Sequence, residues 1–262
     1  EEKRYRLLSS LFADVSVLEG LNYRFSFSPD LIQRREGNFA VSLTGQQRFA
    51  PPDGSKQEDF VLNYTVDNQV NYSNTFSDVH ELNVTGLFSY QQREEEASSL
   101  SVRGIPVEDM QDDNFGAAEV IEGVDSNFEQ WSLVSYMGRV NYVYDDRYLA
   151  TFTGRLDGSS RFGENNRFGV FPSFALAWNI DNEAFMADNE FFDALRVRFS
   201  WGQSGNTAID PYQTLGLLGR TTYAFGGNAG FGYRPAQLSN PDLKWETTST
   251  YNLGVEFEVF NA

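Results

Sequence analysis

Large apolar residues take every second position from Phe168 to Ile180: Phe168, Val170, Pro172, Phe174, Leu176, Trp178 and Ile180. Between them stand Gly169, Ser173, Ala175, Ala177 and Asn179, all small or polar, with Phe171 the one large exception. A period of two marks a strand with one greasy face and one wet face. The same pattern sets Leu195, Val197, Phe199 and Trp201 against Arg196, Arg198, Ser200 and Gly202. It sets Tyr251, Leu253, Val255, Phe257 and Val259 against Thr250, Asn252, Gly254, Glu256 and Glu258. A further run places Leu82, Val84, Gly86, Phe88 and Tyr90 on one side and Asn83, Thr85, Leu87, Ser89 and Gln91 on the other. With similar stripes over 5–17, 21–28, 61–73, 132–144 and 147–156, the chain reads as all-β, with about nine long strands and almost no helical periodicity.

Several of these runs last ten residues or more. Ordinary strands average about five or six, whereas a strand that crosses a bilayer needs about nine to eleven. The connections also sort by length. Short ones fall at Glu19-Gly20, near Phe76 to Val79 and at Asp145-Asp146, with a moderate one from Asp181 to Ala194. Long ones fall at about 29–57, 96–130 and 206–243, with a shorter polar loop at 157–167. Every second connection of an up-and-down barrel emerges on the same side, so this order predicts short periplasmic turns and long extracellular loops. Aromatic residues near strand ends, Tyr142, Tyr144, Tyr148, Trp178, Trp201, Trp245 and Tyr251, suit a girdle at the lipid–water boundary. A soluble β-sandwich, such as a carbohydrate-binding module whose second sheet covers the stripe, is the alternative reading of the alternation.

Composition sharpens this picture without deciding it. The 262 residues hold no Cys, which removes disulfides, zinc-thiolate sites and thiol nucleophiles. The formal charge of −17 argues against nucleic acid as a partner. Mean hydropathy is −0.44, yet alternation averages to neutral in any window, so this value does not speak against a membrane barrel. The polar face carries Asp14, Arg24, Asp67, Arg139, Arg155, Arg196, Arg198, Glu246 and Glu256, too many charges for a barrel filled by its own side chains. A wide lumen is expected, and about nine strands do not close one. The first residues, EEKRYRLL, lack a secretory signal and begin inside a patterned segment, so the chain is expected to be part of a longer protein.

Three strings carry a more specific message: WSLVSYMGRVNYVYDDRYLATFTGRLDGSSRFGENNRFGVFPSFALAWNI, FFDALRVRFSWGQSGNTAIDPYQTL and NPDLKWETTSTYNLGVEFEVFN. Together with the upstream LEGLNYRFSFSPD they closely resemble the SusC/RagA branch of TonB-dependent outer-membrane transporters. The likeness is strongest over 131–205 and 240–261, and weakest in the long loops. It implies an antiparallel transmembrane β-barrel of roughly 22 strands, of which residues 1–262 form an incomplete part. The plug domain and TonB box are expected to lie outside this chain. The resemblance further implies a Gram-negative outer-membrane location and a SusD-like surface lipoprotein partner. TonB would act through the missing N-terminal segment, and an oligosaccharide or peptide would be the imported substrate.

No enzymatic chemistry, cofactor or metal is expected. The single histidine, His80, falls in a short turn, which leaves no base for a Ser-His-Asp relay. The acidic run Glu108, Asp109, Asp112 and Asp113 lacks the ordered spacing of a calcium loop and reads as solvated. Arg93 to Glu96 reads as a polar strand end at the outer rim. In DGSSRFG, Gly158 and Gly163 suit tight turns, Asp157 and Arg161 are placed to bridge, and the role is structural. One loop invites a ligand: Tyr223, Phe225, Phe231 and Tyr233 are interleaved with Gly226, Gly227, Gly230 and Gly232. Aromatic faces stack on sugar rings, and glycines admit close approach, so these four aromatics are the candidate substrate-binding residues.

Overall fold

The computed structural model describes residues 1–41, 51–107, 109, 111–189 and 191–259. Its strands are β1 (Glu2–Leu8), β2 (Leu11–Leu18), β3 (Leu21–Ala40), β4 (Asp53–Phe76), β5 (His80–Arg103), β6 (Val120–Tyr144), β7 (Tyr148–Ser159), β8 (Phe168–Asn179), β9 (Phe192–Asn206), β10 (Leu217–Phe225), β11 (Asn228–Gln237) and β12 (Glu246–Val259). One sheet runs in the order β1-β3-β4-β5-β6-β7-β8-β9-β12, with β2 also paired to β3, while β10 and β11 form a separate two-stranded sheet. From β2 to β9 consecutive strands are neighbours, as in a meander, while β1 also pairs with β3 and β12 pairs with β9. The sheet does not close into a barrel: β12 has β9 as its ladder partner and no second one among the described residues.

The nine predicted stripes correspond to the nine positions of this sheet, but their boundaries differ from expectation. The stripe at 5–17 is two strands, because the chain breaks at Ser9-Ser10 opposite Pro29, whose carbonyl accepts the Ser9 N–H. The expected loops at 29–57 and 96–130 are largely strand, since β3 to β6 extend to 20, 24, 24 and 25 residues. The sequence Arg93 to Glu96 therefore lies inside β5 and not at its end. Alternation fades along these extensions because both faces are polar, as in Gln33, Arg34, Arg35 and Glu36.

The chain divides into two compact units. The first, residues 1–11, 27–65 and 91–131, holds the polar extensions of β3 to β6. Its small core is Val102, Ile105 and Phe115, packed by Phe39, Leu100 and Ala118. Gly54 makes room for Phe115, whose ring lies 2.7 Å from where a Cβ would stand. The second unit, residues 12–26, 66–90 and 132–262, holds β7 to β12 and the short turns. Two of these turns have positive φ at both central residues, Ser77 and Asp78 at 52° and 59°, and Asp145 and Asp146 at 52° and 50°. That is the type I′ geometry whose twist matches a tight hairpin.

Candidate functional site

Register decides what the alternating faces become. Across β7 and β8, Tyr148 faces Trp178, Ala150 faces Leu176, Phe152 faces Phe174 and Leu156 faces Val170. Across β8 and β9, Phe174 faces Trp201, Leu176 faces Phe199 and Trp178 faces Val197. Across β9 and β12, Trp201 meets Tyr251, Phe199 meets Leu253 and Leu195 meets Phe257. On the other flank, Tyr136, Val140 and Tyr144 of β6 face Leu156, Phe152 and Tyr148. The stripes of five strands thus merge into one apolar wall. A one-residue slip in any pair would have split it.

Among the described residues no second layer covers this wall. Val170 is 65% exposed, Leu176 46%, Trp178 38% and Leu253 77%. A contiguous apolar surface of this breadth is not left to water in a working protein. The opposite face is wet, and its charges are matched between strands. Arg198 pairs with Glu256 at 2.8 Å and Arg24 with Asp14 at 2.5 Å, while the Arg139 guanidinium donates to Thr153 and that of Arg196 to Asn179. A hollow of about 590 Å³ opens on this side, bordered by Leu149, Thr151, Ala177, Arg198, Ser200 and Asn252.

At the turn end of the wall the aromatics form a belt. Rings of His80, Tyr144, Tyr148 and Trp178 follow one another at 5.0, 6.3 and 6.3 Å between centroids. His80 also shares a 2.7 Å hydrogen bond with the Tyr142 hydroxyl. The lone histidine is thus a member of the belt, beside tyrosines and not beside a nucleophile. Below the belt Glu183 accepts from the Tyr148 hydroxyl at 2.5 Å, the Trp178 indole at 2.9 Å and Arg147 at 3.3 Å. These donors, the tyrosine hydroxyl foremost, hold the Glu183 carboxyl below its ordinary pKa.

Phe171, the exception in the alternation, has a specific place. It lies on the polar face, 5% exposed, against Trp245 at 5.2 Å, and Phe162 packs on the same indole at 5.2 Å. Gly169 and Gly205 leave the space that the Phe171 ring fills. Trp245, expected in the girdle, belongs instead to this interior knot. The knot joins DGSSRFG to distant chain: Arg161 donates to the Thr207 carbonyl at 3.0 Å and the Trp245 indole to the Arg167 carbonyl at 2.9 Å. At Gly163 any Cβ would sit 2.5 Å from the Pro241 carbonyl oxygen. Asp157 is held by Arg155 at 2.7 Å, and Arg155 also reaches the buried Ser135 hydroxyl. The large-residue exception at Phe171 was the one visible sign of this knot in the sequence.

The four candidate aromatics occupy a hairpin, where their spacing predicts a loop. In β10 and β11, Thr222 faces Phe231, Arg220 faces Tyr233, Tyr223 faces Gly230 and Phe225 faces Asn228. Phe231 and Tyr233, 69% and 73% exposed, therefore share one face with Arg220, whose guanidinium lies 3.6 Å over the Phe231 ring. Tyr223 is on the other face, lying across Gly232. Phe225 ends β10 at the hairpin tip. The acidic run gathers no group of three or more metal-binding side chains among the described residues, and Glu108 lies outside them.

Comparison with known proteins accords with this geometry. The family model described as TonB dependent receptor-like, beta-barrel matches residues 5–262. TonB-dependent receptor P26 of Formosa agariphila is 32% identical over all of this chain, which spans 27% of that relative. TonB-dependent receptor SusC of Bacteroides thetaiotaomicron is 44% identical over half of this chain and 13% of its own length. The solved structure of the RagAB peptide transporter superposes on 99% of this chain, and 28% of that one, with a TM-score of 0.90 at 22% identity. The chain thus spans about a quarter of the length of the first of these relatives. Its unclosed antiparallel sheet, with an apolar wall on one side and paired charges on the other, is a stretch of barrel wall, and the chain belongs to the TonB-dependent receptor β-barrel family.

Proposed function

We propose that this chain is part of the barrel of a SusC-type importer in the outer membrane of a Gram-negative bacterium. Its apolar wall faces lipid and its charged face borders the passage or the plug that fills it. The plug and the TonB-contacting segment belong to chain outside residues 1–262. A SusD-like lipoprotein caps the extracellular mouth, and TonB draws on the plug to admit an oligosaccharide or a peptide. The hairpin aromatics Tyr223, Phe225, Phe231 and Tyr233 contact that cargo. The observation that carries this reading is the in-register apolar wall across β6 to β9 and β12, which has no use in a soluble domain unless covered.

The test is uptake by the full-length receptor with its native partner, in an outer membrane, with and without TonB. Fluorescent oligosaccharides and peptides should enter only when receptor and TonB are both present, and the receptor should migrate differently on gels before and after boiling. Recovery of the receptor in the aqueous fraction without detergent, or uptake indifferent to TonB, overturns the proposal.

A further inference from the structure

The hairpin of β10 and β11 differs from the rest of the molecule in charge. The whole chain carries 37 Asp and Glu against 20 Lys and Arg. From Pro211 to Pro241 there is no acidic residue at all, and the charged side chains are Arg220 and Arg234. Both are exposed and neither has an ion-pair partner among the described residues. Nine other arginines among the described residues form an ion pair with an acid, whereas Arg220 and Arg234 keep their guanidinium groups free for a ligand. A cationic element on an anionic protein is an electrostatic funnel for an anion.

The arrangement is also pre-oriented. Arg220 stands directly across the ladder from Tyr233, and Cβ atoms so placed are about 5 Å apart. The stacking of its guanidinium on Phe231 fixes the plane of a fork that matches a carboxylate or sulfate through two parallel hydrogen bonds. The Tyr233 ring beside it is open, 73% exposed, so a flat ring can lie against it from solvent. The reverse face repeats the scheme in smaller form, with Tyr223 and Arg234 on one side of the ladder.

The geometry points to an acidic oligosaccharide as the cargo this hairpin selects: a pyranose ring stacks on Tyr233 while its carboxylate or sulfate substituent is held by Arg220. This rests on the importer reading and narrows its substrate class. Aromatic face plus arginine fork is the complement of a sugar with an anionic group. An acidic peptide would use the fork and leave the Tyr233 face unexploited.

The experiment measures binding of biotinylated oligosaccharides to the purified full-length receptor with its native surface partner. The probes are a galacturonate hexamer, its neutral methyl ester, a sulfated carrageenan hexamer, maltohexaose and an oligoglutamate peptide. Binding of the uronate or the sulfated probe should exceed that of the neutral sugars by about tenfold or more and weaken as salt rises. Which of the two binds identifies the anionic group. Arg220→Gln should cost about tenfold for the charged probe alone, Arg220→Lys should recover part of it, and Tyr233→Ala should weaken every sugar. Equal binding of charged and neutral sugars, capture of the peptide alone, indifference to Arg220→Gln, or no binding of any probe overturns the inference. TonB-dependent uptake of some other cargo by the same receptor leaves the importer reading standing; its absence removes both.

Discussion

Phe152 and Thr153 are chain neighbours with different solvents, and that contrast is the most direct residue-scale consequence of the register. Phe152 is 56% exposed and sits on the apolar wall opposite Val140 and Phe174, whereas Thr153 accepts from Arg139 on the wet face. Phe152→Arg should destabilise the receptor by about 2–4 kcal/mol if the position lies near mid-bilayer, and Thr153→Arg by much less, as read by denaturant unfolding in lipid vesicles. Glu183 offers a second test. Its carboxyl is held below its ordinary pKa of 4.5 by Tyr148, Trp178 and Arg147, so it contributes stability above that value and loses it as pH falls through the lowered one. Thermal unfolding in detergent between pH 7 and pH 3 should therefore show a smaller acid-induced loss in Glu183→Gln than in the native receptor.

At the scale of elements, the tight turns and the aromatic knot carry separate predictions. Ser77 and Asp78 hold positive φ without being glycine, which costs L-residues about 1–2 kcal/mol each. Replacing the pair with Asn-Gly should raise the unfolding midpoint with no change in binding. Trp245→Ala removes the ring that holds Phe162 and Phe171, and should expose the 207–245 connection to limited proteolysis while the remaining strands stay protected. Strand positions are legible because an apolar face and a wet face impose opposite demands on successive residues. The extensions of β3 to β6 are not, since where both faces meet water nothing separates Gln33 from Arg34. Nor is the break at Ser9-Ser10, which depends on Pro29 across the ladder. The hairpin's aromatics are visible, but their sorting into Phe231 and Tyr233 on one face and Tyr223 on the other follows from pairing, which one strand alone does not encode.

For the whole molecule, the long motif strings point to the family, and the apolar wall points independently to a stretch of barrel. The strings turned out to mark architecture: DGSSRFG meets the approach to β12 through Gly163 and Pro241, and the charged partners Arg198 and Glu256 come from different strings. The outer margin of β12 offers a row of amide and carbonyl groups with no ladder among the described residues, flanked by Tyr251, Leu253, Val255 and Phe257. Such a margin is adhesive. Produced apart from its neighbours, the segment should stack copy upon copy, giving inclusion bodies and a thioflavin-positive precipitate on refolding, and folding of the receptor must keep this seam guarded until its proper neighbour arrives.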